Sequence, residues 1–115
     1  METENIETAE VIAAMKNFLT EMRPPEEDRD ESDIAYKIEG QSIIIFEIRP
    51  HWNKPEIIGE HPFAMATYIK AENIWKVFYM NENSNWEVYK QKIAVNSIKE
   101  FTKLVEDDKY QYFFG

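Results

Sequence analysis

Glu47 and Arg49 stand two apart in the run Phe46-Glu47-Ile48-Arg49. On an extended chain, residues two apart point to the same side. A carboxylate and a guanidinium placed this way form either a structural ion pair at the edge of a core or a polar anchor inside an apolar groove. Just beyond them, His51, Glu56, Glu60 and His61 crowd one short segment. Imidazole and carboxylate are ordinary donors to a divalent metal, but this spacing matches no ligand motif and no helix pre-organises it. Neither a metal nor a cofactor is expected. The chain has no cysteine, which removes thiol nucleophiles, disulfides and cysteine-held metals. No serine sits in a Gly-x-Ser-x-Gly elbow, and Gly40, Gly59 and Gly115 are too scattered to cradle a phosphate. No catalytic residue is assigned.

The aromatic residues give a second kind of candidate. Trp52, Tyr68, Trp75, Tyr79, Trp86 and Tyr89 would suit stacking against nucleobases, but single-strand binders also need a basic track. Only Lys37, Lys70, Lys76, Lys90 and Lys92 are at hand, so these rings read first as core and nucleic acid is disfavoured. The chain closes on Phe113-Phe114-Gly115. Chain ends fray unless tied down, so these aromatics suggest docking into the sheet or into a neighbour. The candidate binding set is therefore Glu47, Arg49, His51, Trp52, Trp75, Trp86, Phe113 and Phe114.

The elements that must position these groups are legible in the spacing. Ile6, Ala9, Ile12, Ala13, Phe18, Leu19 and Met22 recur at intervals of three and four, which predicts an amphipathic helix over 3–22 with Thr3 as its cap. Pro24 ends it, and an acidic connector runs over 23–33. Over 34–90 the pattern alternates. It predicts a hairpin turning at Gly40-Gln41, a long loop over 51–62, strands over 63–70 and 74–80, and a short fifth strand over 86–90. Ser97-Ile98-Lys99-Glu100 matches a capping box and opens a helix over 97–107 with Ile98, Phe101, Leu104 and Val105 on its face. An aromatic tail covers 108–115. The order predicts one α+β domain: an N-terminal helix, a five-stranded antiparallel meander, and a C-terminal helix packed on one face.

Both faces of that sheet are apolar. Trp75, Val77 and Tyr79 alternate with Ile74, Phe78 and Met80, and Phe63, Met65 and Ile69 alternate with Ala64, Ala66 and Tyr68. Two helices cover one face; the other must curl on itself, meet a partner or stay partly exposed. The reading that follows is a non-catalytic binding or protein-interaction module, with a homo-oligomer or another protein as partner. The alternative is a small ligand-binding protein or enzyme with a pocket around Glu47, Arg49 and Trp52.

Composition narrows the class. The chain has 115 residues and a net charge of −9, enough length for one core. Through Asp33 there are 11 acidic and 3 basic residues; from Ile34 onward there are 11 and 10. The acidity belongs to the first third, which disfavours a polyanion partner for the whole molecule. The acidic start shows no secretory pattern and the longest apolar run, Ile43 to Phe46, is far short of a bilayer span. A cytoplasmic protein without a membrane partner is expected.

Taken in order, Tyr36-x-Ile38-x-Gly40, Phe46-Glu47-x-Arg49-Pro50-x-Trp52, Pro62-x-Ala64, Tyr68, Trp75, Trp86-x-x-Tyr89 and Phe113-Phe114-Gly115 form a multi-part pattern. It resembles a bacterial domain-of-unknown-function family, DUF3024, from about Arg23 to the C-terminus. The resemblance implies a short stand-alone bacterial protein and brings no activity, substrate or catalytic residue. Met65 and Thr67 stand where relatives tend to carry basic residues, Phe114 where they carry a Trp, and Lys109 and Gln111 where they carry a Pro and a Gly.

Overall fold

The structure is a computed structural model that describes residues 6–113. Thr3, Phe114 and Gly115 lie outside those residues. The elements are α1 (Ala9–Met22), β1 (Asp33–Glu39), β2 (Ser42–Pro50), β3 (Ile58–Ile69), β4 (Ile74–Met80), β5 (Trp86–Val88), β6 (Ala94–Val95) and α2 (Ile98–Asp107). The strands form an antiparallel meander in the order β1-β2-β3-β4-β5, with β6 also on β4. The fold is α+β, as the order of elements predicts. No helix among the described residues is long and apolar enough to cross a membrane.

The first helix starts later than its periodicity suggests. Thr8 is the cap: its hydroxyl accepts the Val11 amide at 3.3 Å. The buried stripe is Val11, Met15 and Phe18, at i, i+4 and i+7. Ile12 and Ala13 belong to the neighbouring stripe and face outward. The second helix follows its capping-box reading, with Ser97 accepting the Glu100 amide at 3.2 Å. Its buried residues are Ile98, Phe101, Thr102 and Val105, and the predicted Leu104 packs part-buried against the core.

Register sorts the strands into two faces. One carries Ile43 and Ile45 of β2, Ala64 and Ala66 of β3, Trp75 and Val77 of β4, and Val95 of β6. All seven are buried and belong to one core with Val11, Met15, Phe18, Ile98, Phe101 and Val105. The two alanines let α2 approach the sheet closely. α1 leans on β1 and on α2.

The fifth strand is shorter than the predicted 86–90, and a sixth follows it that the sequence does not suggest. β5 pairs with Phe78–Met80 and β6 with Trp75 and Lys76. Between them the chain loops out around Val77, which donates its amide to Ile93 O and accepts that of Tyr89, both at 2.9 Å. The detour turns the Tyr89 ring into the core, where it is buried. Burial first, and then the Asp108 charge, push its phenol pKa up.

The opposite face carries Lys37, Ile44, Phe46, Met65, Lys76, Phe78 and Val88, and none of its side chains belongs to the well-exposed large apolar set. Ile44 and Phe46 are only 6% exposed without any helix above them. Two lysines help to screen the row: Lys37 Nζ lies 5.4 Å from the Phe46 ring centre and Lys76 Nζ 5.7 Å from that of Phe78. Their aliphatic stems cover apolar surface while the ammonium stays wet.

A bidentate ion pair ties the two ends of the acidic connector. Arg23 Nε and Nη2 donate to Asp33 Oδ1 and Oδ2 at 2.8 and 2.6 Å, and Asp33 Oδ1 also accepts the Ile34 amide at 2.8 Å. The Arg23 hydrogen bonds hold the Asp33 carboxyl below its ordinary value of 3.8. A folded-state pKa below the unfolded one stabilises the fold at neutral pH, and that contribution fades as pH falls below the ordinary value. Asp33→Asn is therefore expected to lower the melting temperature at pH 7. The gap to the parent should narrow in a pH series taken through the acid range, and a gap of constant size would contradict the assignment.

Candidate functional site

The β2–β3 pair runs past its flanking strands. β1 ends opposite Ile48 and β4 ends opposite Ala64, while β2 and β3 stay paired as far as Pro50 and Ile58. Most of the polar candidates ride on this overhanging end. Among them, Glu47 and Arg49 continue the Ile43-Ile45 row of β2, opposite His61 and Gly59 of β3.

β3 begins five residues before the predicted strand, so the 51–62 loop shrinks to the turn 51–57. Gly59 and Pro62 argue for a loop by type, but local context admits both. Beyond Ala64, β3 pairs with β2 alone, and a proline is tolerated on a strand with an open edge. The register also slips there: Ile45 faces Ala64 and Phe46 faces Pro62, so Phe63 is an extra residue. Such a bulge re-aims the side chains on either side of it. Gly59 leaves room for His61, since a Cβ there would sit 3.1 Å from the His61 Nε2.

Two adjoining clefts result. One, of about 240 Å³, is lined by Glu47, Arg49 and His61 with Ile34, Pro62, Phe63, Met80 and Phe113. The next, of about 320 Å³, is lined by Arg49, Pro50, His51, Trp52, Ile57, Gly59 and His61. Arg49 and His61 line both. The Arg49 Nε lies 3.5 Å from Glu47 Oε1, and Ser32 Oγ donates to Glu47 Oε2 at 3.2 Å. Glu60 takes the other face, 3.3 Å from Lys37 Nζ. Among the described residues, no three His, Asp or Glu side chains gather as a metal site.

The turn that carries Trp52 is pinned by hydrogen bonds. His51 donates its amide to Ile57 O at 2.8 Å, and Ile57 donates to Lys54 O at 2.9 Å. The His51 Nδ1 accepts the Asn53 and Lys54 amides at 3.1 and 3.2 Å. Trp52 stacks on the His51 ring at 5.8 Å between centroids and is still 87% exposed. Ile57 and Ile58 beside it are also well exposed.

The structure thus brings Glu47, Arg49, His51, Trp52 and Phe113 to one end of the molecule, and adds His61, which the sequence suggests only as a metal donor. Phe113 is tied down as its chemistry suggests. Its amide donates to Asp108 Oδ1 at 3.0 Å and its ring packs on Tyr89 at 4.8 Å. Asp108, in the left-handed region at φ 38°, reverses the chain toward it. Trp75 stands apart: it is 7% exposed, belongs to the core, and leans on Tyr68 at 5.0 Å. Trp86 stands opposite Met80 in the β4–β5 pair and is half-buried.

Truncation separates these tryptophans. Trp75→Ala should cost about 3–5 kcal/mol of unfolding free energy, the usual cost of emptying a large core site. Trp52→Ala should stay within about 0.5 kcal/mol of the parent, as surface changes do. Urea unfolding of both variants measures this; a destabilised Trp52→Ala would mean that the tip is part of the folding core.

No curated protein and no solved structure matches the chain. A family model described as a domain of unknown function, DUF3024, matches residues 3–115, taking in α1 and every element of the sheet and the overhang. The chain belongs to this family.

Proposed function

We propose that the protein is a non-catalytic binding module whose recognition site is the overhanging β2–β3 end, with Trp52 as its anchor. The exposure of Trp52 carries this reading. Single exposed apolar residues are ordinary, but a contiguous exposed apolar cluster marks a contact site. Trp52, Ile57 and Ile58 are three of the seven well-exposed large apolar side chains among the described residues, and they share one tip. The opposite sheet face, greasy by composition, supports docking less well, because Ile44 and Phe46 are already buried and two lysine stems shelter the row.

Affinity favours the tip for a second reason. A turn held by hydrogen bonds loses little freedom when a partner arrives, so less of the contact energy goes into ordering. Tryptophan and arginine are the residue types that most often dominate binding energy, and Trp52 and Arg49 line one cleft. The Ser32 hydroxyl donates to the Glu47 carboxylate, which is itself paired with Arg49. A nucleic-acid role finds little support, since Lys37 is already shared between Glu39 and Glu60.

A thermal-shift screen of small molecules and short peptides tests the reading. Compounds that raise the melting temperature of the parent should lose that effect in Trp52→Ala and in Ile57→Ser. Hits that act equally on both variants would place binding elsewhere and overturn it.

A further inference from the structure

We infer that the cleft between Arg49 and Trp52 takes a carboxylate carried on a flat aromatic ring; this rests on the recognition site proposed above and assigns it a ligand class. The donors come first. Arg49 meets Glu47 through its Nε, and its terminal nitrogens have no other partner among the described residues. A guanidinium fork offers two parallel donors to a carboxylate. The His51 Nδ1 is occupied as an acceptor by the two backbone amides, so its proton resides on Nε2, which makes that nitrogen a donor. His61 lines the cleft from the opposite strand.

The acceptors that would repel an anion are turned away or matched. Glu60 belongs to the other face and to Lys37. Glu47 is held by Ser32 and by Arg49. Glu56 does not line this cleft. The remaining wall is flat and apolar: Trp52, Pro50 and Ile57. A cleft of about 320 Å³ is at the small end of ligand sites. It suits one ring with its acid group better than a nucleotide, and a phosphoryl chain would find no glycine-rich cradle. The ring would stack on Trp52 in an offset arrangement while the carboxylate bridges Arg49 and His51.

Calorimetric titration of the full chain with phenylacetate and with phenylacetamide tests this. The acid should bind at least tenfold more tightly than the neutral amide. Arg49→Met should remove at least tenfold of the acid's affinity and leave the amide's unchanged, and Trp52→Ala should weaken both. A peptide ending in phenylalanine with a free carboxylate, compared with its amidated form, identifies the source: tighter binding than phenylacetate points to a protein terminus, weaker binding to a free aromatic acid. Equal affinity for acid and amide, an unchanged Arg49→Met, or no binding of any of the four probes overturns the assignment. In that event, screening hits that still depend on Trp52 would leave the recognition site standing, and their absence would remove both.

Discussion

The pairing of β2 with β3 carries the rest of the molecule. Nine residues of β2 find partners on β3, from Ser42 opposite Thr67 to Pro50 opposite Ile58. One half of this ribbon is a floor: Ile43, Ile45, Ala64 and Ala66 are fully buried, and the small alanines admit the helical layer. Most of the other half is half-buried or exposed. Past the bulge at Phe63 the same hydrogen-bonded ladder continues into Glu47, Arg49 and His61, so polar groups are held by sheet rather than by a wandering loop. A strand-borne site keeps its geometry more firmly than one on an irregular connection.

Much of this was legible in residue types and spacing. The antiparallel meander, the presence of both helices, the Ser97 cap and the docked Phe113 follow from local chemistry. The misreadings have physical causes. Gly59 and Pro62 signal a loop when taken alone, yet an open strand edge and a bulge tolerate both, and the strand gains five residues. The α1 stripe shifted because Ala9, Ile12 and Ala13 make an equally periodic face; only the position of the core selects Val11, Met15 and Phe18. β6 is two residues long, too short for alternation to register.

The candidate site was legible by half. Glu47 and Arg49 share a face because period two demands it, and their meeting with Trp52 follows from the short turn. The part played by His61 depends on a register that no local pattern encodes. The division between Trp75 and Trp86 is likewise a tertiary outcome: both sit in aromatic, alternating surroundings, and only packing makes one core and the other half-sheltered, whereas Trp52 stands in a polar turn and is bare. The second apolar face shows the same limit, since the lysine stems that screen it read as ordinary polar positions along the strand.

The proposed site requires a turn that is both bare and rigid, so that Trp52 is held in place for a partner. Backbone 15N relaxation across 51–57 measures this directly. Order parameters near those of the flanking strands, about 0.8 or above, are what the His51 and Ile57 hydrogen bonds predict; values below about 0.6 through the turn would show a mobile loop and contradict a preformed site.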